Sequence, residues 1–311
     1  SIVLILKTNE GKKNKIGQIN CRYDIEITKE EIDILGNSFN YQNNLDIFIN
    51  GTKIHFTKKY KFAKIGIIDV RFDIYSQLNM DNMFKDVSSL LSVTLSSDKN
   101  AKITSMANTF ENCENLDDFI IAGFDTSKVK SMKNIFSGTN LKNIDIVSLN
   151  TENVEDFSYM FASLELDTTE IERLKTNNAK NMSHMFYQSS VKNLDFSYID
   201  TSKVEDMSYM FKSCESISNL DLKKFDTRKV IDMSGMFMDC ISLSDLDISS
   251  FDTSQVTDMS HMFDNANSLK EIDLSNFNTS KVKNMSHMFN YCNYLVNINC
   301  SKFNTSDVRD M

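Results

Sequence analysis

MSHMFDNANSLKEIDLSNFNTSKVKN, residues 259–284, is one unit of a repeat, and its grammar decides the fold. Leu269, Ile272 and Leu274 follow an L-x-x-L-x-L spacing with polar residues between, the alternation of a half-buried strand. Met259, Met262, Phe263 and Ala266 fall at i, i+3, i+4 and i+7, which predicts one apolar face of a short helical return. Phe277 and Val282 add apolar anchors in the connection.

The residue that opens this unit recurs at Met80, Met106, Met132, Phe157, Met182, Met207, Met233, Met259, Met285 and Met311, in steps of 25 or 26 residues. A single unit cannot bury its apolar face, whereas a stack of units can. The expected fold is therefore an α/β solenoid of right-handed, leucine-rich-repeat-like coils. Its parallel strands, roughly 4.8 Å apart, should line the concave face. About nine repeats fill residues 77–311, and the pattern is expected to continue beyond Met311. The unit after Phe157 is irregular but keeps Leu166, Ile171 and Leu174 in apolar slots.

Residues 1–76 read differently. SIVLILKT, KIGQINCRYDIEIT, LDIFINGTKIHFT and KIGIIDVRFDIY run apolar or alternate, and Asn50-Gly51 between two such runs is a strong hairpin signal. Lys29–Leu35 has the pattern of a helical turn. A small β-rich domain capping the open end of the solenoid is expected, because an uncovered terminal coil exposes both core and strand edge.

Bulk composition narrows the function. The chain has 311 residues, 41% hydrophobic and 25% charged, with 34 basic against 43 acidic residues and a formal charge of −9. That balance supports a packed core and disfavours nucleic acid and anionic membranes as partners. Ile2–Leu6 is apolar but too short for a signal core or a membrane span, so neither a leader nor membrane insertion is expected here.

Polar positions repeat as well. A threonine recurs at Thr126, Thr151, Thr176, Thr201, Thr227, Thr253, Thr279 and Thr305, usually behind Asp or Asn. A serine follows the anchor at Ser158, Ser183, Ser208, Ser234, Ser260 and Ser286. Both sets are expected to fix turns by bonding nearby backbone groups. Of six cysteines, Cys113, Cys214, Cys240 and Cys292 share one small slot seven residues after the anchor. They read as reduced core thiols, with Cys214 and Cys240 the first disulfide pair to consider in an oxidising compartment. His184, His261 and His287 share the slot two after the anchor; they read as exposed positions on the return, although His261 and His287, in adjacent coils, could in principle bind a metal. Ligand spacings for zinc are missing, and no metal or cofactor is expected.

The candidate ligand-binding feature is an acidic ladder. The polar residue between the last two apolar residues of each strand is Asp145, Glu170, Asp195, Asp221, Asp247 and Asp273, then Asn299. Strand alternation places these on the open, concave side. They are either a solvated face softened by Lys192, Lys223 and Lys270, or a docking stripe for a basic partner or loosely held Ca²⁺. Nucleotide-binding, metalloprotease and nucleophile-elbow motifs are absent, so no catalytic residues are assigned and an enzyme is not expected.

The strings FDTRKVIDMSGMF (225–237), FDTSQVTDMSHMF (251–263) and FNTSKVKNMSHMF (277–289) resemble the BspA-like leucine-rich-repeat proteins, which include mycoplasma surface lipoproteins and protist families. The resemblance covers residues 78–311. It implies a solenoid at the cell surface, acting in adhesion or host contact, and no enzyme. The leading functional expectation is an adhesin or scaffold that holds a protein or glycan partner on the concave face. The alternative is a structural subunit of a larger assembly or filament. On location, the resemblance points to the cell surface, while unpaired core-slot cysteines point to the cytoplasm.

Overall fold

The computed structural model describes residues 13–311 apart from 41–44, 143, 145, 167–170, 172 and 192–194. At the N-terminal end lie β1 (Gly17–Ile25), β2 (Ile32–Asp33), β3 (Leu45–Ile49), β4 (Thr52–Ile54), β5 (Lys59–Tyr60) and β6 (Gly66–Ile74). β7 (Leu78–Asn79), β8 (Leu90–Ser105) and β9 (Asp118–Asp125) follow. The main sheet runs β4-β3-β6-β1-β8-β7, with β9 also paired to β8. Alternation in β1 buries Ile19, Cys21, Tyr23 and Ile25, as its sequence requires. Asn50 and Gly51 both take positive φ (46° and 80°) in the two-residue turn joining β3 to β4. The expected helical turn at Lys29–Leu35 is instead bends and the short strand β2, whose partner is β5.

β1 pairs antiparallel with β8, and β8 pairs parallel with β9. Backbone hydrogen bonds therefore cross residue 76, and the first coils grow from the edge of the N-terminal sheet. Later strands are short. β10 (Glu165–Leu166) pairs with β11 (Ser190–Val191), β12 (Asn219–Asp221) with β13 (Asp245–Asp247), and β14 (Glu271–Asp273) with β15 (Asn297–Asn299), each parallel and in register. Among the described residues the strand ladder is thus a set of pairs, not one continuous sheet.

Continuity comes from the residue before each anchor. Ser131, Asp156, Asn181, Asp206, Asp232, Asp258, Asn284 and Asp310 are joined by seven successive parallel bridges. The core runs beside this ladder. Met, Phe and Val of the inner regular units are buried, including Met259, Met262, Phe263, Ala266, Leu269, Leu274, Phe277 and Val282 at 0–1% exposure, while Phe289, Phe303 and Val308 in the last coils are partly buried. The phenylalanine four after the anchor stacks coil on coil, with ring centroids 5.7 Å apart for Phe186–Phe211 and 5.9 Å for Phe211–Phe237.

The return is not helical, which corrects the α/β assignment. Among the described residues helix is confined to 3₁₀ geometry, at Ile146–Ser148 and at Ile171 and Arg173. The reason is in the backbone. Residues two and six after the anchor take left-handed φ, as at Tyr209 (55°) and Ser213 (58°), and again at His261 (56°) and Asn265 (59°). A left-handed residue every fourth position breaks an α-helix. It also turns alternate N–H groups outward. Met207, Tyr209, Phe211 and Ser213 donate to the carbonyls of Asp232, Ser234, Met236 and Met238 in the next coil at 2.7–3.0 Å, while Met210, Lys212 and Cys214 close local turns. A helix would satisfy all these groups internally. Here half of them bind neighbouring coils, so the return is itself an inter-coil layer.

Candidate interaction face

The predicted strand-end residues are placed as follows. Asp221, Asp247, Asp273 and Asn299 are the last residues of β12, β13, β14 and β15, and Asp195 holds the equivalent place one coil earlier. Asp145 and Glu170 lie outside the described residues. Asp195, Asp221, Asp273 and Asn299 are exposed and Asp247 is half-buried. Registers bring Asp221 opposite Asp247 and Asp273 opposite Asn299. The outward residue two earlier on each strand doubles the stripe, with Asp245 opposite Asn219 and Glu271 opposite Asn297. Asp221, Asp245 and Asp247 thus lie side by side across β12 and β13, and Glu271 and Asp273 hold the same strand places in β14. Lys223 offsets it in part, its Nζ 3.5 Å from the Asp247 carboxylate.

Each described ladder residue also has a local duty. Asp195, Asp247 and Asp273 accept the backbone N–H of Ser197, Ser249 and Ser275 at 2.8, 3.0 and 2.9 Å, and Asp221 accepts that of Lys223 at 3.1 Å. These are Asx turns that cap the strand ends. The spacing Asp-x-Ser was their visible signal. Hydrogen bonds from Ser197, Ser249 and Ser275 hold the Asp195, Asp247 and Asp273 carboxyls below the usual carboxylate range. These three groups are ionised at neutral pH.

A second aspartate ladder sits where the coils bridge. Asp206, Asp232 and Asp258 are half-buried in adjacent coils, each accepting the N–H of the serine two residues on at 2.8–2.9 Å. Burial pushes the Asp232 carboxyl up; Ser234 opposes this, and the charges of Asp206 and Asp258 add to it. On the return, the slot two after the anchor carries a further stripe. Asn82, Asn108 and Asn134 bond side chain to side chain at 3.1 and 3.0 Å. Tyr159, His184 and Tyr209 then stack at 4.2 and 4.8 Å, and His261 stacks on His287 at 4.9 Å. Gly235 interrupts the run, because the Tyr209 ring occupies the space a Cβ would need.

The threonines staple coils. Thr227, 1% exposed, donates to the Asp252 carbonyl at 2.9 Å and accepts the Asp252 N–H at 2.8 Å. The same reciprocal pair links Thr126 to Asn150, Thr201 to Asp226, Thr253 to Asn278 and Thr279 to Asn304. All six cysteines are free thiols, Cys214 and Cys240 included. Those in the common slot donate to a phenylalanine carbonyl of the preceding coil, Cys214 to Phe186 at 2.9 Å and Cys240 to Phe211 at 3.0 Å. Burial pushes the Cys113 and Cys214 thiols up to about 12. Cys300 is exposed.

Among the described residues, no group of three His, Cys, Asp or Glu side chains is arranged to hold a metal ion. Among those residues, too, no helix is long and apolar enough to cross a membrane.

Coils of 25–26 residues, stacked through strand, bridge and turn ladders around one apolar spine, define a solenoid repeat protein. The family comparison makes this specific. The model described as "Mycoplasma protein of unknown function, DUF285" matches residues 78–197, 104–221, 162–246 and 214–311, and the "BspA type Leucine rich repeat region" model matches residues 19–131. The chain belongs to the BspA-like leucine-rich-repeat family. The second match reaches back into the N-terminal strands, which the sequence reading had set apart. No curated protein and no solved structure matches the chain.

Proposed function

We propose that this protein is a non-enzymatic interaction module that holds a basic protein segment against its strand face. The observation carrying the reading is the pairing of Asp221 with Asp247 across β12 and β13, with Asp273 at the same strand-end place in β14 and Asp195 at its sequence equivalent one coil before β12. Asp245 and Glu271 lie alongside them. Local hydrogen bonds keep Asp195, Asp247 and Asp273 charged. A row of carboxylates at strand spacing suits a segment whose Lys or Arg residues recur at extended-chain spacing. By sequence position Asp145 and Glu170 continue the stripe. Membership of the BspA-like family supports interaction as the general role and display at the cell surface as its setting. In this reading residues 1–76 act as the cap that closes one end of the array.

The test must remove charge without removing the turn. Asn299 shows how, since its amide oxygen accepts the Ser301 N–H at 3.4 Å in the same place. The triple variant Asp221→Asn, Asp247→Asn, Asp273→Asn therefore keeps the caps. Captured partner should fall at least tenfold in this variant, and wild-type capture should weaken as salt rises. Capture by the variant at the wild-type level would overturn the assignment of this face.

A further inference from the structure

The stacked imidazoles of His261 and His287 have a feature that the other members of their slot lack. His261 and His287 take the same left-handed φ, 56° and 58°, in adjacent coils. Their side chains therefore leave the return in the same direction, with ring planes 16° apart and centroids 4.9 Å apart. Behind them sits Asp264, only 5% exposed. Its Oδ2 lies 2.8 Å from His261 Nδ1, and its Oδ1 accepts Asn290 Nδ2 at 3.0 Å. A buried carboxylate anchored on both sides holds Nδ1 as the protonated nitrogen and leaves the Nε2 lone pair of His261 directed away from it. This is the outer-shell arrangement that fixes the tautomer and ring orientation of metal-binding histidines.

We propose that His261 and His287 form a two-imidazole site for a borderline divalent transition metal such as Zn²⁺ or Ni²⁺, with Asp264 as the positioning residue. Two nitrogens on one metal, each about 2.0–2.1 Å from it, must come within about 4 Å of each other. His261 is held by Asp264, while His287 is exposed; in the proposed site the His287 ring leaves the stack so that its nitrogen can reach the metal in the plane of the His261 ring. Water completes the coordination. Nitrogen donors select this metal class over Ca²⁺ and Mg²⁺, which require oxygen. The site lies on the return, on different residues from the strand-face carboxylates, and does not depend on their role.

The experiment is calorimetric titration of the untagged full chain with NiCl₂ at pH 7.5, read together with the imidazole resonances of the four histidines. One equivalent should bind at micromolar affinity, shifting the His261 and His287 signals and leaving His55 unmoved. His287→Tyr, which places there the residue of the equivalent Tyr159 and Tyr209 positions, should cost at least tenfold in affinity. Asp264→Asn should cost about tenfold to a hundredfold, and His184→Tyr should cost nothing. Equal affinity in His287→Tyr and the wild type, or no binding at 1 mM Ni²⁺, would overturn the proposal.

Discussion

Thr227→Val is the sharpest probe of how the coils are held together. Valine matches threonine in shape and replaces only its hydroxyl by a methyl, so the change at a side chain 1% exposed is confined to the hydrogen bonds it makes. What is lost is both ends of the staple, the 2.9 Å bond to the Asp252 carbonyl and the 2.8 Å bond from its N–H. Each such bond contributes about 0.5–1.5 kcal/mol net, and a buried partner left unpaired costs about 1–3 kcal/mol. Asp252 is partly reached by solvent and the extra methyl gains some burial, so the expected loss is about 2–3 kcal/mol. Thr227→Ser keeps the hydroxyl and removes one methyl, a loss of about 1 kcal/mol. Urea unfolding followed by circular dichroism measures the difference, and amide exchange at Asp252 reports the same event locally. Long arrays need not unfold in two states, so the exchange result is the decisive one. Exchange at Asp252 should accelerate in the valine variant and stay near wild type in the serine variant. Equal protection in both would refute the idea that the hydroxyl staples adjacent coils.

Three further outcomes follow from the same ladders. Asp232→Asn keeps an acceptor for Ser234 and removes like-charge crowding with Asp206 and Asp258, so it should stabilise by a few tenths to about 1 kcal/mol at pH 7. Because the folded-state carboxyl is raised, that gain should vanish as the pH falls through its pKa, which thermal melts at pH 7 and pH 4 would reveal. Iodoacetamide at pH 8 should label Cys300 fast and Cys292 slowly, leaving buried Cys21, Cys113, Cys214 and Cys240 unmodified until denaturant is added, as peptide mass spectrometry would show. Burial lowers His184 to about 4, against the opposing charge of Asp206, so the ring is neutral in the fold. Its contribution is complete above pH 6.5 and is lost as pH falls towards 4; His184→Tyr should flatten that part of the pH–stability curve.

The period was legible because it is a packing requirement. Every coil must present Met, Phe, Val and Leu to the same spine, so the spacing of Met259, Phe263, Leu269, Leu274, Phe277 and Val282 reports burial directly, and all six are at most 1% exposed. Asn50-Gly51 was legible for a local reason, since few other pairs accept positive φ twice in succession. The helical return was misread because i, i+3, i+4, i+7 describes which side chains point inward and says nothing about where the N–H groups go. Asn82, Asn108 and Asn134, with Gly138 and Gly235, held the contrary signal, as residues that tolerate left-handed φ.

Sequence alone determined the coil length, the core positions, the hairpin, the family resemblance and the line of carboxylates at strand ends. These depend on side-chain type and local backbone preference, which each residue carries with it. Tertiary structure decided what a hydrogen bond between coils decides. It sent alternate return N–H groups to the next coil, linked the recurring threonines from Thr126 to Thr279 to residues 24 or 25 positions on, joined the residues before the anchors into the continuous ladder, and set His261 against His287 over a buried Asp264. A polar group's partner is a matter of position in space, and in a solenoid that position is set by the neighbouring coil.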